Sequence, residues 1–337
     1  MSDQRVVVIG ASAGGLDAMK QLVRKLPHDF DAPILVVIHI PSHTESLLAN
    51  ILSRETTLPA KQVVDGEKAR KGVIYVAAPD KHLIIEEDGT LRSVHGPREN
   101  RHRPAVDPLL RSAALAYGAG AIGVILSGAL DDGTAGLLEI KKRGGMAVVQ
   151  DPSEALYAGM PESALAHVDV DYVLPASEIA ETLVALTARR GADREVDAVL
   201  ELEVMSAEGE EVTDRDRPGR PSVFSCPDCG GVLWQLNDKD LTHYRCRVGH
   251  AYSPDSLVEA QDDQIERALW MALKTLEESA QLAHRLASTQ RARGHEWMAE
   301  RFAEKERDAR DRADVIRRFL TSETAAALAP AGAQTTQ

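Results

Sequence analysis

The sequence predicts an α/β protein, a doubly wound, mostly parallel sheet with helices on both faces, followed by two smaller C-terminal pieces. Three observations carry this. Apolar, β-branched runs at residues 6–9, 34–38 and 121–126 lack alternation, as strands covered on both faces do. Each leads through a turn into a segment of helical periodicity, the rhythm of a parallel sheet. Beyond residue 221 the pattern changes, first to paired cysteines and then to long apolar stripes at helical spacing.

The first strand, Val6-Val7-Val8-Ile9, runs into Gly10-Ala11-Ser12-Ala13-Gly14-Gly15. A helix follows over 16–26, with Leu16, Met19, Leu22, Val23 and Leu26 on one face and Pro27 as its stop. Ser12 stands in the turn, beyond the strand's C-terminal end and beside the free N–H groups that open the helix. Three readings compete for this turn. It can be a purely structural βα turn. It can be a dinucleotide site, but Ser12 replaces the middle glycine of G-x-G-x-x-G, and His39 stands where an acid should hold a ribose. Or Ser12 is a nucleophile, which needs a base and an orienting acid from elsewhere in the chain.

The second strand, residues 34–38, ends in His39 before Ile40-Pro41, and a helix is expected over about 44–53. A strand-end histidine is commonly structural, yet a βαβ connection puts this strand's C-terminal end on the same sheet edge as Ser12. Short strands follow at 72–77, 83–85 and 91–94, the last two forming a hairpin around Asp88-Gly89. The basic cluster Arg98, Arg101, His102 and Arg103 is either a solvated loop or a lip for an acidic substrate surface. A helix then runs to about Tyr117.

The third decisive segment is the strand 121–126, its turn Ser127-Gly128-Ala129-Leu130-Asp131-Asp132-Gly133, and a helix over 134–142. Paired acids at a helix start are often only caps. Here they would open on the sheet edge already holding Ser12 and His39, where open α/β sheets place their sites. A strand at 146–149, a loop with Gly159-Met160-Pro161 lining the crevice, a helix at 162–166, an edge strand at 171–174 and a last helix capped by Ser177 complete this region.

The order Ser, His, Asp along the chain differs from that of the α/β-hydrolases, the chymotrypsins and the subtilisins. Residues 5 to about 190 resemble the catalytic domain of the chemotaxis protein-glutamate methylesterases, the CheB type. The matching pieces are Ile9 to Gly15, Val37 to Pro41, Arg103 to Asp107, Leu126 to Gly133 and Gly159 to Pro161. The resemblance implies Ser12 as nucleophile, His39 as base and Asp132 as acid, with Asp131 where the family commonly has asparagine. The N–H of Ala13 is the first candidate oxyanion donor, and the resemblance suggests a second at Ala129, where relatives often carry methionine. It also implies hydrolysis of glutamate methyl esters on a methylated receptor or signalling protein to glutamate and methanol. An amidase acting on glutamine side chains and a non-catalytic scaffold with a relic triad are the alternatives. Such enzymes commonly carry a receiver domain ahead of the catalytic strand; with that strand beginning at residue 5 or 6, none is expected here.

Residues 191–221 read as an acidic linker with one short strand at 198–204. All three cysteines of the chain then fall close together, in Cys226-Pro-Asp-Cys229 and Cys246-Arg-Val-Gly-His250. Two ligand pairs around a β-rich insert are the pattern of a zinc ribbon, so residues 222–253 are expected to hold a structural zinc on Cys226, Cys229, Cys246 and His250, with His243 as rival fourth ligand. Metal loss is expected to leave catalysis intact, the triad lying in a separate domain. Residues 254–322 read as a helical hairpin about Gly294, with Ile265, Leu269, Ala272, Leu276, Ala280 and Ala283 on one apolar face and Met298, Phe302, Ala309, Ala313, Ile316 and Leu320 on the other. It can dock on the catalytic domain, on a second copy or on a partner. The tail 323–337 is expected to be disordered.

A net charge of −13 over 337 residues argues against an electrostatically driven nucleic-acid or membrane surface. No signal peptide or membrane span is apparent, and an odd cysteine count disfavours a disulfide framework. The expected setting is the cytoplasm, with membrane receptors met only peripherally.

Overall fold

The computed structural model describes residues 5–39, 46–188, 198–208, 219–238 and 241–321. In chain order the elements are β1 (Val6–Ala11), α1 (Gly15–Val23), β2 (Ile34–Ile38), α2 (Leu48–Glu55), β3 (Ala60–Gln62), β4 (Glu67–Lys68), β5 (Ile74–Val76), β6 (His82–Ile85), β7 (Thr90–Val94) and α3 (Val106–Tyr117). They continue with β8 (Ala121–Ile125), α4 (Thr134–Lys142), β9 (Met146–Gln150), α5 (Gly159–His167), β10 (Tyr172–Leu174), α6 (Ala176–Thr187) and α7 (Ala198–Glu208). The C-terminal elements are β11 (Arg220–Ser225), β12 (Val232–Asp238), β13 (Leu241–Cys246), β14 (Ala251–Tyr252), α8 (Pro254–Ala292) and α9 (Glu296–Thr321).

Seven strands form one sheet in the order β10-β9-β8-β1-β2-β5-β3, and every pairing in it is parallel. Successive residues of β1 feed opposite layers. Val6 and Val8 pack with Leu109 and Leu110 of α3 and Leu137 of α4, whereas Val7 and Ile9 pack with Met19 and Leu22 of α1 and Leu183 of α6. Both faces are covered, which is why the strands read as unbroken apolar runs. The chain moves outward from β1 in both directions, so the crevice beyond the ends of β1, β2 and β8 is the switch point of the fold. A small antiparallel sheet, β4-β7-β6, sits beside it and contains the hairpin expected around Asp88-Gly89.

Several details differ from the sequence reading. Residues 198–204 belong to a helix, not a strand. Leu200, Val204 and Ala207 are buried at helical spacing, the latter two against Ile84. Ser177 does not cap α6: Pro175 is the N-cap residue, and Glu154 Oε1 accepts the N–H of Ala176 at 2.7 Å. The helix expected from about Thr44 begins at Leu48, residues 40–45 lying outside those described. The expected tail also lies outside them, as does most of the linker.

The chain divides into two compact units, Met1–Leu257 and Val258–Gln337. Strands β11-β12-β13-β14 make an antiparallel sheet inside the first. In the second, Arg317 pairs with Glu277 and His284 with Glu306, so the two helices run antiparallel about Gly294, whose φ is +76°. Their facing stripe includes Leu273, Ala280, Ala283, Ala309 and Ala313, while Ile265 and Met298 of the expected faces are exposed.

Candidate active site and metal-ligand cluster

Ser12, His39 and Asp132 meet at the sheet edge. Ser12 leaves β1 one residue past Ala11, and its N–H donates to the carbonyl of Ser127 at 3.0 Å, tying the two turns together. His39 follows β2, its N–H donating to Ala11 O at 3.2 Å. The imidazole Nδ1 lies 3.0 Å from Ser12 Oγ, and Nε2 lies 2.7 Å from Asp132 Oδ2. Asp132 is closed in: its side chain is 3% exposed and that of His39 is 6%. Burial alone would raise the Asp132 pKa. The hydrogen bond and charge of His39, the Val106 N–H (2.7 Å) and the Asn100 amide (2.9 Å) hold it well below the usual carboxylate range. The acid is therefore ionised, and in the neutral form of the ring it accepts from Nε2–H, so that Nδ1 carries the lone pair able to take the Ser12 proton. The ring is thus used the other way round from the serine-protease template, in which Nε2 faces the serine.

Beside Asp132 lies a second carboxyl that holds its proton more tightly than usual. Asp107, at the start of α3, is fully enclosed, and burial together with the neighbouring Asp132 charge drives its pKa well above the ordinary value. Asn100 Nδ2 bridges the two, 2.9 Å from an oxygen of each. His102 stacks on His39 with ring centroids 3.7 Å apart and planes 13° from parallel. Burial and the adjacent His39 push its pKa down to about 3, so it is a neutral plate that fixes the plane of the other ring. The basic cluster thus divides: His102 enters the site and Arg103 pairs with Asp80. Neither reading of the loop anticipated this. The only sequence signal was adjacency to Arg103-Pro104-Ala105-Val106-Asp107.

The turns also supply backbone donors. Among the described residues, the N–H groups of Ala13 and Ala129 have no acceptor within the protein. Gly128 permits the close approach of the two turns: a Cβ there would come within 2.0 Å of Met160 Sδ and 2.9 Å of Ser12 Cβ. Met160 is fully buried beneath the turn, and the Gly159-Met160-Pro161 segment forms the first turn of α5 rather than the loop expected ahead of a helix at 162–166.

With that geometry established, comparison with known proteins decides the family. CheB methylesterase matches residues 7–183. The chain belongs to the CheB methylesterase family. A relative from Leptospira interrogans is 43% identical over 180 residues, covering 53% of this chain and 93% of the relative. Relatives from Rhizobium johnstonii (38% identical, 52% of this chain, 49% of theirs) and Ralstonia nicotianae (37%, 56% and 50%) carry the name protein-glutamate methylesterase/protein-glutamine glutaminase. The chain therefore spans about half the length of these two. The crystal structure of the Thermotoga maritima CheB methylesterase catalytic domain is similar with a TM-score of 0.53 at 37% identity, covering 54% of this chain and 98% of that one. The family match ends at residue 183, ahead of the cysteine-containing sheet.

In that sheet, Cys226, Cys229, Cys246 and His250 present ligand atoms all within 4.8 Å of one another, and the cysteines are free thiols. His243, the rival ligand, pairs with Leu236 in mid-sheet and is not in the group. A tetrahedron with metal–sulfur bonds of about 2.3 Å has edges of about 3.8 Å. The observed separations are 3.7 Å for Cys226 to His250 Nδ1, 3.6 Å for Cys229 to Cys246 and 3.5 Å for Cys246 to His250 Nδ1. The donor set and its spacing fit a metal ion.

Proposed function

We propose that this chain is a serine esterase that hydrolyses glutamate methyl esters on methylated chemoreceptor-like proteins, in the cytoplasm, releasing methanol and leaving glutamate. The continuous hydrogen-bond path Ser12–His39–Asp132 carries the reading. In this scheme Ser12 Oγ attacks the ester carbonyl while Nδ1 of His39 takes its proton, and Asp132 stabilises the imidazolium. The tetrahedral oxyanion is met by the N–H groups of Ala13 and Ala129. Methoxide leaves with the proton returned from His39, and water, deprotonated by the same nitrogen, hydrolyses the acyl-enzyme.

A second reading, deamidation of glutamine side chains, is favoured by the double name of the relatives. It uses the same acyl-enzyme with ammonia as leaving group. Cys226, Cys229, Cys246 and His250 would hold a structural zinc: four soft N/S donors leave no open position for chemistry. The test is to incubate the chain with methylated and with amidated receptor and to measure methanol and ammonia. Methanol release that requires Ser12 supports the esterase; ammonia alone supports the amidase; neither product, with receptor bound, leaves a scaffold.

A further inference from the structure

The loop that orients the catalytic acid is fastened to the cysteine-containing sheet rather than to its own domain alone. Ala251 of β14 lies alongside Glu99 in a parallel bridge; the N–H of Asn100 donates to Ala251 O at 2.8 Å and that of Ala251 to Arg98 O at 3.2 Å. Buried Glu99 is held between Arg111 of α3 and Arg245 of β13, the latter at 2.8 Å. Although burial alone would raise its pKa, these two cations keep Glu99 ionised. The central residue is Asn100, 6% exposed. Its amide nitrogen donates to Asp132 and Asp107, and its amide oxygen accepts from the Ser253 N–H at 3.0 Å and the Ser256 hydroxyl at 3.2 Å. Each end of one amide is thus committed to a different part of the chain. The serine contacts settle which end is which: the oxygen must face the Ser253 N–H, so the nitrogen must face the two carboxylates.

We propose that Asn100 is a positioning residue for the acid–base pair, and that Ser253 and Ser256 at the start of α8 hold it in place. Asn100 adopts φ of +48°, a left-handed conformation in which asparagine is tolerated better than most residues. Left to itself, its side chain would have rotational freedom and solvent partners. Anchored from the C-terminal side, it presents an N–H to Asp132 Oδ1, so that Oδ2 remains directed at His39 Nε2. A buried network of this kind is worth more satisfied than the sum of its pairs and is degraded when one member is lost. The consequence is that a segment outside the CheB match, residues 251–256, completes the active site.

The inference rests on the triad proposed above, so the experiment reads the triad independently of substrate. The full chain and the variants Asn100→Ala, Ser253→Ala/Ser256→Ala and the combination of all three are compared for Ser12 labelling by a fluorophosphonate and for ester hydrolysis. Asn100→Ala is expected to slow labelling and lower kcat about tenfold or more, with KM within about twofold. The serine pair removes the Ser256 hydroxyl that donates to Asn100 and the Ser253 hydroxyl that holds Ser256, while the Ser253 N–H stays in place. It is expected to lower both about threefold and to add nothing further once Asn100 is alanine, because the changes act through one amide. Should Asn100→Ala not fold, the serine pair decides alone, with its kcat-against-KM split. Wild-type labelling and kcat in the folded serine variant would overturn the proposal, as would effects that multiply or a change confined to KM. A wild-type chain that the phosphonate does not label would overturn the triad itself, and this inference with it.

Discussion

Two turns in the central sheet are built alike and used in opposite ways. β1 and β8 are parallel neighbours, and each is followed by a glycine N-cap of positive φ, Gly14 at 72° and Gly133 at 96°, opening α1 and α4 with no side-chain cap. After β1 the turn is left open: Ser12 is partly exposed and the Ala13 N–H has no protein acceptor among the described residues. After β8 the turn is open at Ala129 but sealed at its acidic end, with Asp132 receiving His39, Val106, Asp107 and Asn100. The difference follows from what lies above each. A nucleophile must be reachable and its oxyanion donors free, whereas an acid that stabilises an imidazolium works best in a dry, fixed site.

The largest effects should come from substituting each turn in the same assay. Ser12→Ala should abolish ester hydrolysis, a loss of roughly 10³-fold or more, with an unchanged melting temperature because the open turn packs little. More than about a tenth of wild-type activity in that variant would remove Ser12 from the mechanism. Asp132→Asn should cost about 10⁴-fold by the serine-protease precedent, but here it should also lower the melting temperature. An amide in the place of Asp132 turns an NH₂ group toward donors that need an acceptor. Equal thermal stability of the two variants would break the contrast between an open and a sealed turn.

Next in size is the metal cluster. The chain should bind one equivalent of zinc, and chelation or Cys226→Ser should loosen the sheet β11–β14, read by hydrogen exchange. The sequence reading placed this module apart from catalysis. The Glu99–Arg245 ion pair and the Ala251 bridge argue otherwise, so labelling of Ser12 should slow severalfold when the metal is lost. An unchanged rate alongside a loosened sheet would restore the view of an independent module.

What was legible in the sequence was local. Strand identity, the two glycine turns, the triad candidates and the cysteine spacing depend on residue type and short-range periodicity, and the structure brings Ser12, His39 and Asp132 to one edge. What was not legible depends on long-range partners. Asn100 and His102 sit in a polar loop with no periodicity, and their roles exist only because β14 and β2 approach them. The helix at Ala198–Glu208, expected as a strand, depends on a distant partner in the same way: burial of Val204 and Ala207 against Ile84 selects the helix.

The smallest prediction concerns Asp131, the other acid of the sealed turn. It is 8% exposed and accepts from the Ser253 hydroxyl at 2.7 Å, and burial raises its pKa to about 6 despite that bond. A carboxyl whose folded pKa exceeds its unfolded value holds its proton more tightly in the native state. Its contribution to stability is full below about pH 4 and is lost as pH rises through about 6. At pH 8 the native state therefore carries a poorly solvated charge. Asp131→Asn retains an oxygen for Ser253 and removes that charge. It should leave stability near the wild-type value at pH 4 and raise it by about 1–2 kcal/mol at pH 8, measured by urea unfolding at both. A variant destabilised at pH 8 but not at pH 4 would show that Asp131 is held for its charge, and that the sealed turn tolerates two ionised carboxylates after all.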